Sequence, residues 1–128
     1  MRVDSPTGTI EIESREQLVE LLSQAGYGEC ATFYFSHLTP LPCLSVHLND
    51  SFGYVHFFAA NQHPGYQAQG MTPEDCPDEV SFHHAPGDNG DPFLAPRSCV
   101  LHRDAAVRAA TEFLASLEMP PSVDWFEL

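Results

Sequence analysis

The chain has 128 residues, of which 43% are hydrophobic and 18% carry a charged side chain. This composition supports a packed core of single-domain size and excludes wholesale disorder. Eighteen acidic residues against five arginines, with no lysine, give a formal net charge of −13. Phosphate backbones and anionic lipid repel such a charge, so we expect no direct binding to nucleic acid or to a membrane. The expected partner is instead a basic surface.

The expected compartment follows from the N-terminus, the hydropathy and the cysteines. Residues Met1–Pro6 contain no apolar core of a secretory signal, and no uninterrupted apolar stretch approaches the roughly 18 residues of a membrane span. The cysteines form no C-x-x-C pair; they are Cys30, Cys43, Cys76 and Cys99. We therefore expect reduced thiols in a cytoplasmic protein.

The N-terminal part predicts a short strand followed by a helix. Thr9–Ile12 alternates between polar and apolar residues, as a strand does. Ser14 and Gln17 then form a capping box, in which Ser14 accepts from an early backbone N–H and Gln17 reaches back. The apolar stripe of this helix is Leu18, Leu21, Leu22 and Ala25. Gly26 is a suitable stop at its C-terminus.

Three strands are predicted in the middle of the chain. Ala31–Ser36 is rich in aromatic residues, and Cys43–Leu48 alternates so that Leu44, Val46 and Leu48 share one face. Turn residues at 49–53 precede a return strand, Tyr54–Phe58. Together these segments predict an antiparallel β-meander.

The C-terminal part predicts two weaker strands, a second helix and a final strand. The weaker strands are Val80–His83 and Ser98–Leu101, and the final strand lies within Ser122–Leu128. The second helix begins near Asp104 and ends before Pro120. Its apolar side is Ala106, Ala109, Ala110, Phe113, Leu114 and Leu117. The predicted fold is α+β, a single domain over residues 1–128 with two helices packed on a mainly antiparallel sheet and the meander at its centre.

A proline-rich acidic loop is predicted at about residues 60–97. Residues 31–73 contain a single charged side chain, Asp50, whereas residues 74–91 carry six acidic side chains and no basic one. Those six are Glu74, Asp75, Asp78, Glu79, Asp88 and Asp91. The segment is either a solvated loop or a partner-binding surface, because long loops in compact domains are often functional.

The histidines suggest metal binding only weakly. A hairpin register summing to 103 would place His47 opposite His56, but zinc needs three or four ligands and no third one can be placed. Two histidines on a solvated sheet face are the simpler interpretation. Cys76 with His83 and His84 matches no zinc spacing either. We therefore expect no metal and no other cofactor.

No residue is predicted to be catalytic. The H-E-x-x-H, G-x-S-x-G, G-x-x-x-x-G-K and G-x-G-x-x-G motifs are absent, as is the zinc-deaminase pattern. Trp125, the only tryptophan, is expected to anchor the last strand in the core, with an interface role as the alternative. Tyr66, in a loop just before the acidic residues, is the better candidate for contact with a partner.

The chain resembles the first family in the numbered series of bacterial polymorphic-toxin immunity proteins. Matching residues near the meander are Leu44-Ser45-Val46-His47, Val55-His56-Phe57-Phe58 and Pro64-Gly65-Tyr66. Those nearer the end are Ala105-Ala106 through Phe113-Leu114, then Pro120, Val123, Trp125, Glu127 and Leu128. The resemblance spans most of the chain, although residues 71–97 match no pattern of the family.

The resemblance implies an immunity protein that neutralises a cognate secreted toxin in the producing cell. Proteins of this family often accompany deaminase-fold toxins, which implies a partner with a basic active-site cleft that deaminates cytosine in nucleic acid. We expect the toxin contacts at the six acidic residues of 74–91, because their charge would attract a basic cleft, and at Tyr66, which lies just before them. The alternatives are an acidic adaptor without a toxin partner and a small histidine-dependent metal enzyme.

Overall fold

A computed structural model describes residues 1–86 and 91–128 as an α+β fold, as predicted. Two helices, α1 (Arg15–Ser23) and α2 (Arg103–Ser116), pack on one face of a large antiparallel sheet. The strands found in the described ranges are β1 (Arg2–Ser5), β2 (Gly8–Glu11), β3 (Ala31–Ser36), β4 (Cys43–Asn49), β5 (Phe52–Phe58), β6 (Tyr66–Gln69), β7 (Glu79–His83), β8 (Pro92–Pro96), β9 (Leu101–His102) and β10 (Asp124–Glu127).

The main sheet has the strand order β10-β6-β5-β4-β3-β1-β2, and β9 pairs with the start of β5. All of its pairings are antiparallel, and the predicted meander, β3–β4–β5, forms the centre. Leu44, Val46 and Leu48 share the face toward the helices, where all three are fully buried. The prediction for this face of β4 is therefore confirmed.

The N-terminal region contains one strand that was not predicted. β1 pairs with both β2 and β3, and its Val3 is fully buried. The predicted cap of α1 is confirmed in part. Ser14 Oγ accepts from the Gln17 N–H at 3.2 Å, but the Gln17 carboxamide oxygen accepts from the backbone N–H of Glu13, at 2.7 Å.

Helix α2 lies across β4 and β5 through small residues. Gly53 in β5 comes so close to the helix that a Cβ there would lie 2.7 Å from Cβ of Ala106. A larger side chain at either position would push the helix away from the sheet. Phe113, fully buried further along α2, packs edge-on against Phe57 of β5. The interface is thus closely packed at one end and aromatic at the other.

Arg103, at the start of α2, is buried and donates hydrogen bonds to three backbone carbonyls. Its guanidinium reaches the carbonyl oxygens of Leu22 at 2.8 Å, Ala25 at 2.6 Å and Asp50 at 2.6 Å. It also lies 4.1 Å from the centre of the Tyr27 ring. One side chain therefore joins the C-terminal end of α1 to the β4–β5 turn and to α2. The carbonyls at the end of a helix can accept such bonds, since they lack the N–H partners of the next helical turn.

The proline-rich segment predicted as a loop contains three strands, β6, β7 and β8. The predicted strand at residues 80–83 is confirmed as β7, which pairs with β8 in a separate two-stranded sheet, here called the hairpin. Pro92 and Pro96 stand at the two ends of β8, where proline is tolerated. The strand predicted at 98–101 is wrong, because a 3-10 turn over Arg97–Cys99 precedes the two-residue β9.

Candidate functional site

The hairpin covers the face of the main sheet opposite the helices. Phe82 of β7 is fully buried, and its ring lies 5.7 Å from that of Tyr54 and 6.5 Å from that of His47. A second apolar cluster, distinct from the main core, fills this contact. Its buried members are Cys76, Val80, Phe82, Ala95 and Val100. The hairpin is therefore packed in place and does not project freely into solvent.

His47 links the sheet to the hairpin, and the expectation of a solvated histidine face is wrong for it. Its Nδ1 lies 2.7 Å from the carbonyl oxygen of His83 and so donates to it, while Nε2 lies 3.1 Å from the Ser45 hydroxyl. The register summing to 103 is also wrong, since His47 pairs with Tyr54 and Ser45 with His56. Burial under the hairpin lowers the pKa of His47 to about 4.

Acidification is expected to destabilise the protein through His47. Its pKa is about 4 when folded and about 6.5 when unfolded, so the unfolded state binds more protons between these values. The contribution of His47 to the free energy of unfolding is fully present above pH 6.5 and is lost progressively as the pH falls toward 4. Between pH 7.5 and pH 5, the free energy of unfolding should fall by about 2 kcal/mol from this group alone.

Urea denaturation of the wild type and of His47→Gln at both pH values measures this effect. The variant retains the other titrating groups but lacks the contribution of His47. On acidification, its free energy of unfolding should therefore fall by about 2 kcal/mol less than that of the wild type. His56 remains in the variant, and its pKa is also lowered by burial. Equal pH dependence in the two proteins would show that His47 is not the titrating group.

Arg97 holds the acidic part of the chain in a defined backbone conformation. Its guanidinium donates to the carbonyl oxygens of Cys76, of Glu74 at 3.3 Å and of Pro73 at 3.4 Å. Its own backbone N–H donates to the carbonyl oxygen of Asp78 at 2.9 Å. This role could not be predicted from the sequence, because nothing in the local pattern shows that Arg97 returns to residues about 20 positions earlier.

The acidic side chains themselves point into solvent. Five of the acidic residues predicted to contact a partner are described, and all five are exposed. None forms a salt bridge with a described basic group; they are Glu74, Asp75, Asp78, Glu79 and Asp91. Arg97 donates to backbone carbonyls of this segment and forms no salt bridge with its carboxylates. Asp88 lies outside the described residues. The arrangement concentrates negative charge along the hairpin and the chain that leads into it.

Tyr66 lies apart from these carboxylates. It pairs with Phe57 on the helix side of the sheet, whereas the hairpin covers the other side. Its hydroxyl donates to Glu127 Oε2 at 3.2 Å, and that carboxylate raises the pKa of Tyr66. His63 stacks on the Tyr66 ring and lies 3.0 Å from the same carboxylate. No described contact joins Tyr66 to the acidic residues, so its contact role stays a prediction.

Trp125 lies on β10, beside the main core. Its indole N–H donates to the carbonyl oxygen of Pro120 at 2.7 Å, and its ring lies 6.3 Å from that of Phe57. The half-buried ring therefore attaches the last strand to the core, in keeping with an anchor role.

Across 1–86 and 91–128, no three His, Cys, Asp or Glu side chains are grouped so as to hold a metal ion. All four cysteines are free thiols. Burial raises the pKa of Cys43 to about 11 and also raises that of Cys30, so neither is an activated thiolate near neutral pH. Neither described helix is long and apolar enough to cross a membrane.

The main sheet is covered by helices on one face and by the hairpin on the other, and the hairpin region displays exposed carboxylates that form no salt bridge among the described residues. A family model described as Immunity protein Imm1 matches residues 6–127, and the chain belongs to this family of immunity proteins. No curated protein matches the chain. Family membership indicates a role in toxin immunity, with a cognate toxin as partner and no catalysis required of this chain.

Proposed function

We propose that this chain binds a secreted toxin that deaminates cytosine in nucleic acid, and neutralises it by occluding the active-site cleft. The observation that carries the proposal is the exposed, unpaired carboxylates of the hairpin region in a member of an immunity family. A nucleic-acid-acting enzyme needs a cationic cleft to hold phosphates. Carboxylates can occupy the positions where phosphates would lie, and arginine pairs with them in bidentate fashion.

The proposal assigns the toxin contacts to Tyr66, Glu74, Asp75, Asp78, Glu79, Asp88 and Asp91. The backbone of residues 73–78 is held by Arg97, so little ordering is needed on binding, which favours high affinity. The net charge of −13 speeds the encounter with a basic partner. The deaminase chemistry is supported by the family resemblance, whereas the acidic surface supports any cleft that binds phosphates.

The proposed compartment is the cytoplasm of the producing cell. The nucleic acid of the producing cell lies in that compartment, so a toxin directed at nucleic acid would act there and has to be neutralised there. The free state of all four thiols supports a reducing environment.

Co-expression tests the proposal. The toxin encoded beside this chain should kill cells when it is expressed alone and should leave C-to-T changes in their DNA, or C-to-U changes in their RNA. Co-expression of this chain should restore growth and remove those changes. Killing that persists beside abundant folded protein would contradict the immunity function for this toxin. Killing that this chain prevents, but that leaves no cytosine deamination, would retain the immunity function and contradict the deaminase.

A further inference from the structure

The hairpin has an inner and an outer face of different character. Alternation along β7 and β8 places Val80, Phe82, Phe93 and Ala95 toward the main sheet. The opposite side of the same two strands forms the outer face, with Glu79, Ser81, His83, Pro92, Leu94 and Pro96. The inner face is accounted for by the packing over His47 and Tyr54. The outer face has no role in the fold described above.

Leu94 is an apolar side chain at the centre of this outer face. It is 62% exposed, more than any other large hydrophobic residue in a described helix or strand. Its cross-strand partner, Ser81, is small and does not cover it. An exposed leucine alone would be unremarkable, but this one stands on a strand held firmly from below by the second apolar cluster.

Acidic side chains flank Leu94 at both ends of the hairpin. Glu79 and Asp78 lie at the end where β7 begins, and Asp91 lies just before β8 begins. All three are exposed. At about 3.3 Å per residue, the strand from Asp91 to Pro96 is about 17 Å long, a size that fits within one side of an ordinary protein interface. An apolar centre with a charged margin is the usual arrangement of such interfaces.

We infer that the outer face of the hairpin enters the cationic cleft of the toxin, with Leu94 as its central apolar contact. This inference rests on the proposed function. Charge complementarity favours a basic partner for this face. Among the described residues, Asp78, Glu79 and Asp91 form no salt bridge with a basic side chain, so their carboxylates are available to basic groups of the toxin. Clefts that act on a nucleobase combine phosphate-binding arginine or lysine with apolar walls around the base. The hairpin presents the matching order of groups, carboxylate, leucine and carboxylate.

Binding of Leu94→Asp to a catalytically inactive form of the toxin encoded beside this chain tests the inference. The affinity should fall at least about 20-fold, mainly through faster dissociation, because Leu94 would face the apolar walls of the cleft, where a carboxylate loses its hydration without gaining a hydrogen-bond partner. Leu38→Asp is the matched control, since Leu38 is 89% exposed in the connection between β3 and β4. Its affinity should stay within about twofold of the wild type. Thermal unfolding of both variants verifies that they fold.

Three outcomes would overturn the inference. One is an affinity of Leu94→Asp within twofold of the wild type, while the wild type itself binds tightly and neutralises. Another is an equal loss in Leu38→Asp, which would show that the loss is not specific to this face. The third is a wild-type dimer that Leu94→Asp converts to monomers with unchanged toxin affinity, which would assign the face to a second copy. Failure of the wild type to bind or neutralise would instead count against the proposed function.

Discussion

Replacement of Arg103 by methionine is expected to lower the free energy of unfolding by about 3–4 kcal/mol. Methionine fills much of the same space but removes every donor, so the carbonyls of Ala25 and Asp50 lose the guanidinium that binds them in a largely buried site. The Leu22 carbonyl also loses it but keeps the backbone N–H of Ala25, at 3.4 Å. Each unsatisfied buried acceptor costs about 1–3 kcal/mol, and partial access of water reduces the total. The midpoint of thermal unfolding should fall by roughly 10–15 °C.

Arg108→Met provides the control for this experiment. Arg108 lies on the same helix but is exposed, and it forms an i,i+4 pair with Glu112 at 3.6 Å. Such surface pairs contribute about 0.3–0.5 kcal/mol, so this variant should remain close to the wild type. Calorimetry or urea denaturation at pH 7 distinguishes the two. Similar stabilities of Arg103→Met and Arg108→Met would show that the three carbonyl contacts do not support the fold.

Reversal of three charges on the acidic segment is expected to weaken toxin binding by about 100-fold. The variant carries Asp75→Lys, Asp78→Lys and Glu79→Lys, which places repulsive charges where a basic cleft would meet carboxylates. Association should slow, and its dependence on salt concentration should decrease, because electrostatic steering is reduced. All three side chains are exposed, so the fold should persist. Association and dissociation rates measured at several salt concentrations test this expectation.

A second triple variant separates local contact from total charge. Glu13→Lys, Glu16→Lys and Glu20→Lys change the net charge by the same amount at exposed positions on or beside α1, in the layer opposite the hairpin. This variant should lose less than about tenfold in affinity, through weaker long-range steering alone. Equal losses in both triples would mean that only the overall field matters. An unchanged affinity in the first triple would mean that the segment is merely solvated.

Local sequence patterns predicted the elements whose signals lie within a few residues. The Ser14 cap, the apolar stripe of α2 and the alternation of Cys43–Leu48 each depend on neighbours along the chain, and all three appear in the structure. β8 was not predicted, although the structure places Phe93 and Ala95 on its inner face and Leu94 on its outer face. Its two prolines are typical of loops, and a short strand between them shows too little alternation to outweigh that signal.

The candidate site was predicted in its charge but not in its construction. The acidic residues of 74–91 could be located from composition alone, whereas Leu94 and Arg97 could not be assigned a role. An exposed leucine and a buried one have the same local sequence signal, since exposure depends on which face of the hairpin packs on the sheet. The expected pairing of His47 with His56 is wrong because Asn49 lies opposite Phe52, which centres the turn between β4 and β5 one residue earlier than the predicted register.

The sequence by itself determined the acidity, the helices and the central meander, because net charge, caps and periodicity are properties of the chain that need no long-range contact. The tertiary structure alone decided that the hairpin covers the sheet, that His47 is neutral beneath it, and that two arginines bind backbone carbonyls instead of carboxylates. The Arg103 bond to Leu22 joins residues 81 positions apart, and the Thr32 bond to the His83 carbonyl joins residues 51 apart. Contacts at such separations depend on the packing of whole layers, which no local pattern records.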